Sequence, residues 1–110
     1  MSPSECVNQI NKYKNIISKV GSLYDYIGRA SGYVDECKLL CSENMLNGET
    51  IDGGNLDNIS ATLKVLTSAL NTIVAECKSE IERYNVLYQE AVQRQIALGE
   101  ADPSLNISEN

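Results

Sequence analysis

Histidine, tryptophan and phenylalanine are absent from the 110 residues, and proline occurs only at Pro3 and Pro103. Without histidine the chain has no side chain that ordinarily serves as a general base near neutral pH. Without an internal proline, everything between the two ends can be helical, because no residue there removes a backbone donor or clashes one turn back. Basic residues are also few: nine Lys and Arg stand against fifteen Asp and Glu, a net charge of −6. An acidic chain lacks the basic patch needed to bind nucleic acid or an anionic membrane, so neither is expected as a partner. No apolar run approaches the roughly 20 residues of a membrane span, and Met1 to Cys6 lacks the basic-then-apolar pattern of a signal peptide. The expectation is a cytoplasmic protein with no membrane insertion. Gly-rich phosphate loops and metal-ligand spacings are missing too, so no catalytic residue, cofactor or metal is assigned and no enzyme is expected.

What is present is a helical repeat. Ile10, Tyr13, Ile17, Val20, Tyr24, Ile27, Val34 and Cys41 follow steps of three and four, with Ser31 and Lys38 filling the interruptions. This is a heptad seam. A second seam is expected along Ile59, Leu63, Leu66, Leu70, Ile73, Cys77, Tyr84, Leu87 and Ala91, interrupted by Glu80. Val74, Ile81 and Tyr88 widen it sideways, as a 3.6-residue helix drifts against a seven-residue pattern. Between the seams, Asn47-Gly48 and Asp52-Gly53-Gly54 mark a reversal, after which Asn55 or Asp57 is expected to cap the next helix. The fold expected is all-α: one elongated antiparallel two-helix hairpin over residues 1–98. It comprises helix one over about 4–43, an elbow at 44–55 and helix two over about 56–98. Gly99, Asp102 and Pro103 end the second helix, and 99–110 is expected to be a flexible tail.

With the elbow near residue 50, level positions on the two helices should add to about 100. That places Cys6 near Arg94 and Cys77 near Leu23. Cys37 and Cys77 then lie roughly 21 Å apart along the axis, far beyond the ~7 Å reach of a disulfide. The four cysteines are expected to be reduced packing residues.

Helix one carries more apolar surface than a single partner helix covers. Ile16, Leu23, Ala30 and Cys37 recur every seven residues beside the seam, as do Tyr26, Tyr33 and Leu40, widening the apolar arc to about 160°. Ile16, Leu23, Tyr26, Ala30, Tyr33 and Leu40 are therefore the candidate partner-binding residues. On the other flank Gly21, Gly28 and Gly32 form a small-residue track. Three helical glycines cost about 1 kcal/mol each relative to alanine, so the track is a second candidate, for close approach of a neighbouring helix, set against simple tolerance of weak spots.

Two long helices over residues 4–98, joined by an elbow holding Asn47-Gly48 and Gly53-Gly54, resemble the WXG-type helical-hairpin superfamily of type VII secretion. Within it the chain is most similar to the small helical partners of LXG toxins. It departs from the family pattern in having no Trp-x-Gly turn, no Tyr-x-x-x-Asp/Glu after helix two and no Phe-x-x-x-Asp. The resemblance implies a non-enzymatic adaptor or targeting chaperone of a Gram-positive bacterium. Its partner would be the helical N-terminal domain of a toxin, with or without a second small helical protein. The missing signatures leave co-export with, or delivery by, that partner. Two other readings of the same residues stand beside it. In one, the chain is a self-assembling four-helix homodimer with a scaffold role. In the other, it is an immunity or antitoxin protein whose acidic surface covers a basic site.

Overall fold

The computed structural model describes residues 1–43 and 53–99. Two helices account for nearly all of them: α1, Pro3–Glu43, and α2, Gly54–Ala97. Of the elbow expected at 44–55, residues 44–52 lie outside the described residues, as does the expected tail beyond Gly99, while Gly54 and Asn55 already belong to α2.

Each helix end has a physical cause. The Ser2 hydroxyl accepts a bond from the Glu5 amide at 3.2 Å, and the Glu5 carboxylate accepts one from the Ser2 amide at 2.8 Å. This reciprocal capping box satisfies two otherwise orphaned donors, and Pro3 fits the first helical position, where no donor is needed. These bonds, the Ser2 amide first and its hydroxyl second, hold the Glu5 carboxyl below its ordinary pKa. At the start of α2 the Gly53 carbonyl receives the amides of Leu56 and Asp57. Neither Asn55 nor Asp57 caps α2, contrary to expectation, because the helix begins earlier, at Gly54, and both fall inside its first turn. Helix α2 ends as expected at Gly99, whose φ of 76° is the left-handed conformation that closes helices.

The helices form two compact units: a terminal unit of Met1–Ile17 with the chain from Ala75, and a middle unit of Ser18–Val74. In the terminal unit Tyr13 and Tyr84 stack with ring centroids 6.2 Å apart. In the middle unit Tyr24 donates a hydrogen bond to Asn71. There too, Lys38 reaches Ser60 and Asp57, each at 3.1 Å. These contacts show antiparallel pairing within each unit. The residue numbers of the pairs add to 97, 95, 98 and 95 in that order, a few below the expected 100. Within the terminal unit Cys6 is therefore level with Ala91 rather than Arg94, and both are buried, as is Cys77.

The α1 seam lies where the repeat puts it: Ile10, Val20 and Val34 are buried, and Tyr13, Ile17, Tyr24 and Ile27 are half-buried. The α2 seam is rotated. Leu70, Cys77 and Ala91 are buried as expected, but Ile59 is 46% exposed, Leu66 46% and Ile73 38%. The second inward row is instead Ser60, Thr67, Val74, Ile81 and Tyr88, all half-buried. In heptad terms this is the a row of α2, and Ile59, Leu66 and Ile73 precede it by one residue in the flanking g row.

The reason lies in polar matching across the middle unit. The α1 seam carries Ser31 and Lys38, and the observed register sets them level with Thr67 and Ser60. Ser60 accepts the Lys38 ammonium, and the Thr67 hydroxyl donates to the Leu63 carbonyl at 2.9 Å. Turning Ile59 inward in place of Ser60 would bury more apolar area but set the Lys38 ammonium against hydrocarbon, which costs more than a methylene gains.

Candidate protein-docking face

The seam has two flanks, and in the middle unit they differ in chemistry. One is a shallow polar groove whose walls include Ser31, Asp35, Lys38, Ser60 and Lys64, with Ile27 and Leu63 among its lining. The other is apolar. On α1, Leu23 is 46% exposed, Tyr26 62%, Tyr33 64% and Leu40 61%. In an antiparallel pair the g rows of the two helices flank the same side of the seam. The row of Ile59, Leu66 and Ile73 on α2 therefore borders the row of Leu23, Ala30 and Cys37 on α1.

No charged residue interrupts this face. The two α1 rows are free of charge from Leu23 to Leu40, and the matching α2 rows are free of it from Asn55 to Ile73. In a chain with 22% charged residues, depletion over both helices on one side marks the make-up of an interface centre, where tyrosine is enriched and charge scarce. The nearest cation is Arg29, whose guanidinium lies over the Tyr26 ring, 4.9 Å from its centroid. That contact leaves Tyr26 mostly open.

Among the expected partner-binding residues, the structure exposes Leu23, Tyr26, Tyr33 and Leu40 together, with Ala30 half-buried between them. Ile16 belongs to the terminal unit and is half-buried. Gly21, Gly28 and Gly32 are exposed, and a methyl group added at any of them would meet no atom within 4 Å. Among the described residues, no other helix approaches that track closely.

The α2 contribution to the face is absent from the sequence reading, which assigned Ile59, Leu66 and Ile73 to the core. One signal could have found it. The polar break at Lys38 in the α1 seam needs a polar partner, and the row containing Ser60 supplies it.

Other chemistry is sparse. Cys6 and Cys77 are buried, Cys41 half-buried and Cys37 exposed, and all four are free thiols. Among the described residues no group of three His, Cys, Asp or Glu is placed to hold a metal ion. No described helix is long and apolar enough to cross a membrane. In the terminal unit Arg83 makes two bonds of 3.0 Å to Glu80. Its guanidinium holds the Glu80 carboxyl below its ordinary pKa, and Arg83 is raised in return. Arg83 also lies over the Tyr84 ring. This pairing braces a surface and leaves no reactive group.

Compared with known proteins, the chain finds no matching family model, and no curated protein or solved structure is significantly similar to it.

Proposed function

We propose that this chain is a non-enzymatic helical adaptor that binds another helical protein through the apolar face of its middle unit. The client would be the helical N-terminal domain of an LXG-type toxin, for which the chain acts as targeting chaperone before type VII export. Binding would take place in the cytoplasm, with co-export following. The observation that carries this reading is the charge-free face spanning Leu23 to Leu40 on α1 and Ile59 to Ile73 on α2. The helical-hairpin architecture agrees with the resemblance to toxin partners.

Magnitudes support a protein client. Taking ~150–200 Å² for a fully open large side chain, the observed exposures leave on the order of 600 Å² of apolar surface on this face. At about 25 cal/mol per Å² its burial contributes roughly 15 kcal/mol, against an association cost of about 4–15 kcal/mol. The surplus runs from about zero to about 11 kcal/mol, so affinity is decided by how much apolar surface the client brings and how little ordering it needs.

The test is co-expression with the products of the adjacent genes, any long-helical toxin domain among them, followed by size-exclusion chromatography. The expected result is co-elution that survives high salt, because apolar docking is little screened. Tyr33→Asp should abolish the complex with helicity unchanged. No complex with any such neighbour would overturn the reading, and a complex that dissolves in salt would favour the acidic immunity protein instead.

A further inference from the structure

The two apolar rows of α1 together form a second seam: Leu23, Tyr26, Ala30, Tyr33, Cys37 and Leu40 step by three and four like the first. We propose that, in the absence of a client, a second copy of this chain covers the face. The two-fold axis would cross α1 midway between Ala30 and Tyr33. This uses the same face as the adaptor reading but does not depend on its client.

The rows are self-complementary in that register. A two-fold interface brings residue i against j and j against i. Run antiparallel to itself about the stated midpoint, α1 sets Leu23 against Leu40, Tyr26 against Cys37 and Tyr33 against Ala30. Each tyrosine meets a small residue, as close packing requires.

Helix α2 admits the same arrangement. Because observed cross-helix pairs add to between 95 and 98, the axis level of 31.5 on α1 corresponds to a level between 63.5 and 66.5 on α2 (95 − 31.5 and 98 − 31.5). Within that span, α2 read antiparallel to itself about residue 64 sets Ile59 against Ala69, Leu66 against Thr62 and Ile73 against Asn55, large against small.

Direction agrees as well. Around α1, the second seam is turned from the first by about 100°, the angle between adjacent pairs of heptad rows. A two-fold axis parallel to the line from α1 to α2 then places the four helices of two middle units at the corners of a near-square bundle. Ile59, Leu66 and Ile73 turn toward its interior. The face of on the order of 600 Å² per copy approaches the roughly 800 Å² per partner of a stable interface. Ala30, Cys37, Thr62 and Ala69 supply further contact. Charge explains why this surface and no other suits a copy: each chain carries −6, and only a face free of charge brings two copies together without like-charge pairs.

Three measurements on the full chain test the proposal. Light scattering of the unaltered protein under reducing conditions, at about 50 µM, should give twice the 12.1 kDa chain mass. A monomer there overturns it. Register is tested with L23C/L40C in a C37S/C41S background, oxidised with copper phenanthroline and run on a non-reducing gel. The double variant should cross-link to a covalent dimer, and L23C or L40C alone about tenfold less, since each single thiol faces a leucine. Equal cross-linking of single and double variants overturns the register. Tyr33→Lys should give a helical monomer by circular dichroism and light scattering; a persisting dimer overturns the face. A monomer that still binds the toxin domain sinks the dimer alone, and a dimer that binds no client sinks the adaptor alone.

Discussion

The terminal and middle units are built from the same two helices yet distribute their hydrocarbon in opposite ways. In the terminal unit the inward rows are almost wholly apolar, with Cys6, Ile10, Cys77 and Ala91 buried and the Tyr13–Tyr84 stack beside them. Its exposed large apolar residues, such as Val86 and Ile96, are scattered, which is normal for a protein surface. In the middle unit Lys38, Ser60 and Thr67 occupy half-buried inward positions, while tyrosines and leucines line a continuous outer face. A segment that keeps polar groups in its own seam and hydrocarbon outside it gains less from its own packing.

Substitutions in α2 break this comparison most directly. In a Tyr33→Asp background that removes association, Leu70→Ala should cost about 2–4 kcal/mol in urea unfolding, as for a buried leucine. Leu66→Ala should cost under about 0.5 kcal/mol there, the range of exposed sites. Equal costs would show that the seam is not rotated. In the same background Thr67→Ile should stabilise by about 1 kcal/mol through added apolar contact in the weak seam. No gain, measured by the same unfolding, would mean that the polar layer is better packed than its half-burial indicates.

Smaller effects sharpen the picture. Gly28→Ala should stabilise α1 by about 0.5–1 kcal/mol and leave both self-association and client binding unchanged, because that track lies on the flank away from the apolar face. Reduced binding would instead place a partner on the glycines. The smallest effect belongs to the Ser2–Glu5 box. Glu5 has a lowered pKa in the folded chain, so its contribution is present in full above the ordinary carboxylate range. It is lost as pH falls through the lowered folded value. Hydrogen exchange of the first-turn amides should accelerate relative to the helix interior as acid is added, and Glu5→Gln, which removes the titrating carboxyl, should abolish that pH dependence.

Much of this was legible from residue order. The α1 seam, the reversal after residue 43 and the closing glycine follow from periodicity and from backbone preferences that act within a few residues. The exposed tyrosines and leucines of α1 were legible too, since they exceed what one neighbouring helix can cover. The capping box at Ser2 and Glu5 was equally local, a Ser-x-x-Glu pattern ahead of an apolar run, and went unread. The inward row of α2 was not legible from its own residues. Ranking positions by hydrophobicity selects Ile59, Leu66 and Ile73, and although Val74, Ile81 and Tyr88 mark the inward row beyond residue 73, its earlier members Ser60 and Thr67 are polar.

Sequence alone determined that there would be two long helices, because helical periodicity, end caps and the absence of internal proline are properties of neighbouring residues. Only tertiary structure decided which side of α2 turns inward, because that choice depends on what lies opposite. A lysine in the α1 seam takes its hydrogen-bonding partner, Ser60, from α2, and that facing leaves three large apolar side chains outside.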